Sequence, residues 1–130
     1  MKLLCFLFVF SLLAAQPKPA DPVEKTLILL KQSSWAELCK AFAPNIDLAI
    51  MEDGNTYTKE QATAKTNAFF AKNEPFTVKL IHRVDSNPDY KFAVFVLTGK
   101  TGSYRTSCSV RNNNGLLQIN ELHIEMEKIK

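Results

Sequence analysis

Few side chains in this chain could carry chemistry, and its two histidines come first because imidazole changes charge near neutral pH. His82 lies in a stretch of period two with Phe76, Val78, Leu80 and Val84 on its face, so it is expected to point inward, where it could act as a general base. Tyr104 could then supply a phenol as polariser, and the pair would make a small hydrolase or isomerase. The plainer reading, a strand-end histidine bonded to backbone or solvent, carries more weight because no partner can be assigned to the ring. His123 stands between Glu121 and Glu125 at strand spacing, which suggests an exposed polar face. Asp47 alternates with Ile46 and Leu48 and is expected to face away from the core. Tyr57 and Tyr90 offer further phenols. Arg105 could hold a carboxylate or phosphate, but its face also carries Ser103, Ser107, Ser109 and Arg111, the composition of solvated surface.

Cys39 and Cys108 fall among apolar neighbours and read as buried small hydrophobes more readily than as a disulfide. The third cysteine, Cys5, lies in the apolar run near the start, and Cys39 and Cys108 with two distant histidines match no zinc spacing. No nucleophile elbow, phosphate loop, paired-histidine helix or calcium loop occurs. Neither a cofactor nor a metal is therefore expected. The 130 residues, 46% hydrophobic and 22% charged, have ordinary globular composition, and a formal charge of +3 is too mild to imply nucleic acid.

The first residues order themselves as a secretory leader: Lys2, an apolar run from Leu3 to Leu13, then small residues to Ala15. The run falls short of the about 20 apolar residues that span a bilayer and meets Pro17, Lys18, Pro19 and Asp21 at once, so no stable membrane anchor is expected. Residues 1–15 are assigned as signal peptide, 16–20 as a short linker and 21–130 as one domain. The product is expected outside the cytoplasm, in the periplasm or beyond the cell.

The elements that must position these side chains follow from caps and periodicity. Asp21 caps a helix with Pro22 in its first turn, running toward Leu30. Ser34 and Glu37 have capping-box spacing for a second helix through Trp35, Leu38, Cys39 and Phe42, which Pro44 should end. A short strand over 46–51 and a polar turn over Glu52, Asp53, Gly54 and Asn55 come next. Thr58 and Gln61 cap a third helix that presents Ala62, Thr66, Phe69 and Phe70 inward and ends near Asn73. From Phe76 onward the period is two, and turns at 86–89, 99–102 and 112–115 divide the rest into four antiparallel strands, with a bulge expected near Asn120. The fold class is α+β, a curved antiparallel sheet packed on amino-terminal helices.

This order resembles the nuclear-transport-factor-2-like, or cystatin-like, cone. Phe42-Ala-Pro-Asn-Ile-Asp-Leu, Tyr57-Thr-Lys-Glu-Gln-Ala, Phe69-Phe-Ala-Lys-Asn, Gly102-Ser-Tyr-Arg and Leu122-His-Ile-Glu, taken together, resemble an exported Bacteroidota domain-of-unknown-function family, DUF4783. The resemblance implies fold and export and assigns no activity, since one cone hosts enzymes, transport factors and inert modules alike. The expectation is a non-catalytic module that binds a small apolar ligand or a protein partner. Its pocket would be lined by Trp35, Phe42, Phe69, Phe76, His82 and Tyr104. The alternative is the His82 enzyme. Two copies could also pair through the sheet face, with Phe95, Leu97, Ile81 and Ile119 supplying apolar contact.

Overall fold

A computed structural model describes residues 21–74 and 76–127, so the expected leader and linker lie outside the described residues. Among the described residues three helices precede or interrupt the sheet: α1 (Pro22–Lys31), α2 (Trp35–Lys40) and α3 (Lys59–Asn73). The strands are β1 (Phe42–Ile50), β2 (Asp53–Thr58), β3 (Thr77–Asn87), β4 (Tyr90–Gly99), β5 (Gly102–Asn113) and β6 (Leu116–Met126). They form one unclosed sheet in the order β2-β1-β6-β5-β4-β3. Neighbours are antiparallel except β1 and β6, which run parallel.

The caps of α1 and α3 form as their residues dictate. Asp21 accepts from the Val23 amide at 3.0 Å. At α3 the Thr58 hydroxyl accepts from the Gln61 amide at 3.3 Å while the Gln61 side chain accepts from the Thr58 amide at 3.2 Å, two orphan donors satisfied reciprocally. The expected box at Ser34 does not form, because Glu37 turns to Lys40 at 2.8 Å and the Ser34 side chain makes no capping bond. The second helix also stops sooner than expected, at Lys40, and Phe42 opens β1 instead of closing the helix. Pro44 therefore sits in a strand. It lies where the β1–β6 register shifts, between Phe42 and Asp47, and before the β1–β2 ladder begins at Asn45, so its missing N–H breaks no regular pair.

The polar stretch expected as a turn is mostly β2, joined to β1 by the two residues Met51 and Glu52. An edge strand whose residues are nearly all exposed carries no apolar alternation, and so leaves no trace in hydrophobic periodicity. The last hairpin turns on Asn114 and Gly115, both at positive φ (53° and 87°), the geometry of a tight turn matching the strand twist. The expected bulge is present: Val110 pairs with Ile119 and Ser109 with Glu121, leaving Asn120 extra.

The helices cover one face of the sheet. Val23 and Leu30 of α1, Trp35 and Leu38 of α2, and Ala62 and Phe70 of α3 bury themselves there against Ile46, Leu48, Phe95, Leu97, Tyr104, Cys108, Ile119, Leu122 and Ile124. The opposite face carries Asp47, Glu121, His123, Arg105 and Ser107 by strand alternation.

Candidate functional site

Five of the six residues expected to line a pocket do come together, but they fill the interior. Trp35 stacks on Phe70 with ring centroids 3.9 Å apart and planes 10° from parallel. Phe76 meets both rings edge-on at 5.7 and 5.6 Å. Phe69 meets Phe70 at 5.4 Å and Tyr104 at 5.2 Å. Phe42 is fully buried in the same core. The edge-on contacts are those of packed aromatic cores, where one ring's partly positive edge meets another's negative face. The polar tips are tied: the Trp35 indole donates to Glu74 at 2.9 Å, and the Tyr104 hydroxyl bonds Thr101 and, at 3.4 Å, the Oδ1 of Asn73.

His82 is not among them. Leu80 pairs with Phe95 and His82 with Val94, so Ile81 is an extra residue on β3. One extra residue reverses the alternation that follows it. Val78 and Leu80 pack against the core, whereas His82 and Val84 turn to the outer face and His82 is exposed, its ring 6.4 Å from that of Phe92. The expectation that His82 points inward is thus corrected, and it has no contact with the Tyr104 hydroxyl. Arg83, turned inward by the same bulge, ties β3 to the start of α1: it bonds Asp21, Glu24 at 3.1 Å and Asp85 at 2.8 Å. The sheet-face residues behave alike. Phe95, Leu97 and Ile119 are core side chains, and of that set only Ile81, 40% exposed, is open to a partner.

A concavity with apolar walls lies elsewhere. A cleft of about 230 Å³ opens where α1 and the end of α2 meet the β5–β6 hairpin. Leu29 and Leu38 form its helical wall, Val110, Leu117 and Ile119 its strand wall, and Lys25 is the one ionisable side chain among the described residues that line it. Periodicity could have marked Leu29 and Leu117 as apolar but not that they face one another, because that depends on where α1 crosses the sheet.

Cys39 and Cys108 are both free and buried. Burial pushes the Cys39 thiol up to about 11 and the Cys108 thiol up to about 12, so neither is a nucleophile near neutral pH. On the outer face, Asp47, Glu121 and His123 bring one donor atom each within 4.8 Å of the others, a juxtaposition the sequence reading missed. Asp47 and His123 lie far apart in sequence, and only the parallel β1–β6 pair joins them.

A family model described as a domain of unknown function, DUF4783, matches residues 23–125. Among solved structures, a DUF4783 family protein from Bacteroides ovatus is 22% identical, with 88% of this chain and 99% of that one covered at a TM-score of 0.74. One from Bacteroides uniformis is 20% identical, with 84% and 100% covered at 0.77. An uncharacterised protein with a cystatin-like fold from Caulobacter vibrioides is 12% identical, with 82% and 84% covered at 0.63. No curated protein matches the chain.

Proposed function

The chain belongs to the DUF4783 family, with a cystatin-like, nuclear-transport-factor-2-like fold, and from that premise we propose that it is an exported, non-catalytic binding module for a small apolar ligand. The cleft between α1, α2 and the β5–β6 hairpin carries this reading, since it joins apolar walls to a single cation at its rim while the aromatic interior is packed. Pockets for small molecules combine such walls with few polar groups that fix orientation. Lys25 favours a ligand with one anionic end. Export rests on the basic, apolar and small residues in sequence at 1–15. Among the described residues no helix is long and apolar enough to cross a membrane.

Anilinonaphthalene sulfonate, with fused rings and one anionic group, is a suitable probe. Its fluorescence should rise saturably with the native protein, and Leu117→Asp, which sets an anion in the apolar wall against the sulfonate, should abolish the rise while the circular dichroism stays native. Equal enhancement in the variant, or amide shifts that map to another face, would overturn the proposal.

A further inference from the structure

We propose that Asp47, Glu121 and His123 form a divalent transition-metal site of the zinc class on the open face of the sheet, independent of the cleft. The backbone builds it. Parallel pairing sets Asp47 beside Glu121 and Ala49 beside His123, and the two-residue step from Glu121 to His123 keeps both on one face. The bulge at Asn120 fixes which face, since without that extra residue Glu121 would alternate into the core with Ile119.

The donor geometry fits one bound cation. The Nε2 atom of His123 lies 3.5 Å from Oδ1 of Asp47 and 3.4 Å from Oε1 of Glu121. The nitrogen itself is shielded from solvent and has no hydrogen-bond partner, while the His123 side chain as a whole is 39% exposed. Ligands held about 2.1 Å from zinc at tetrahedral corners stand about 3.4 Å apart, so the imidazole nitrogen is spaced from each carboxylate oxygen as coordination by one ion requires. A cation there would satisfy the orphaned nitrogen and relieve the repulsion of the adjacent carboxylates. One imidazole with two carboxylates suits zinc, cobalt or manganese better than calcium or magnesium, which take oxygen almost alone. Three protein ligands leave the fourth position to water or an incoming ligand. Ala49, across from His123, has a methyl where a longer side chain would crowd the ring.

Titration calorimetry of the metal-free protein with zinc chloride tests the site, with the cobalt-substituted visible spectrum as a readout of coordination. One zinc per chain is expected, together with the intense bands of tetrahedral cobalt. His123→Ala should weaken zinc at least about tenfold, the lower end of what losing even a supporting residue costs a metal site. Asp47→Asn, an exposed change that leaves the fold intact, should weaken it too. His82→Ala removes the other histidine and should leave both readouts unchanged. No stoichiometric zinc, unchanged binding in His123→Ala and Asp47→Asn, or an equal loss in His82→Ala would each overturn the proposal.

Discussion

Asp53 illustrates how a single residue on a plain polar edge acquires a defined environment. Its Oδ1 accepts from the Tyr57 hydroxyl at 2.6 Å and its Oδ2 from the Lys65 ammonium at 3.0 Å, while the same ammonium stands 4.8 Å from the Tyr57 ring centroid. The three side chains tie β2 to α3. The Tyr57 hydrogen bond first, and then the Lys65 ammonium, hold the Asp53 carboxyl below its ordinary range. Because the folded value is depressed, the stabilising contribution is complete above the unfolded value of about 3.9 and is lost as pH falls through the folded one. All three groups are exposed or half-exposed, so solvent keeps that contribution small. Tyr57→Phe should move the Asp53 titration upward, as followed by the carboxyl carbon shift, yet leave it below the ordinary value because Lys65 remains. An unchanged titration would mean that the hydroxyl does not bond the carboxylate in solution. His123 and Asp47 make the complementary point. Each was legible as an outward-facing polar residue, but their meeting depends on a parallel strand pair that no local pattern announces.

At the scale of elements, the parts that were legible are those whose determinants are local. The cap at Asp21, the box at Thr58 and Gln61, the Asn114–Gly115 turn and the alternation of the last strands all depend on residues within a few positions of one another. What local pattern missed was decided from a distance. Phe42 joins β1 because Ile119 lies beside it, its amide donating to the Ala41 carbonyl at 2.7 Å, and this contact outweighs the helical period that carried Phe42 into α2. The Ile81 bulge likewise moved His82 out of the pocket expected for it. The end of β4 makes the same dependence testable. Gly99 lies against the end of α3, where a Cβ would come within 2.5 Å of the Asn73 carbonyl oxygen and 2.9 Å of the Phe76 ring. Neither neighbour is free to retreat: the Asn73 side-chain amide donates to the Phe69 carbonyl at 2.7 Å, and Phe76 is wedged among aromatic rings. Gly99→Ala should therefore cost about 1–3 kcal/mol, the usual range for overpacking. In urea denaturation the midpoint should fall with the slope unchanged, and the exposed control Thr98→Ala should shift it far less. Wild-type stability in the glycine variant would show that α3 and β4 are not in this close contact.

At the scale of the whole molecule, a cone with a filled interior differs physically from one with a vacant pocket, and composition cannot distinguish them because the same aromatic residues serve both. The distinction lies in ring separations, and here Trp35, Phe69, Phe70, Phe76 and Tyr104 occupy one another's contact distance. Phe70 is the centre of that packing, fully buried and touching three of the others. Phe70→Ala should cost about 3–5 kcal/mol, since the lost transfer free energy is compounded by a cavity the rigid rings cannot collapse around. A domain of this size holds only about 5–15 kcal/mol in total, so Phe70→Leu, which leaves a smaller void, is the variant that keeps the experiment readable should the alanine form fail to fold. An apolar void stays dry and accepts small aromatics, so saturating benzene should recover part of the loss in either variant by mass action. The same benzene should leave the melting temperature of the native protein nearly unchanged, because its aromatic interior has no comparable space. A native protein stabilised by benzene as strongly as the variants would mean that the rings part readily and that the cone, rather than the cleft beside it, receives the ligand.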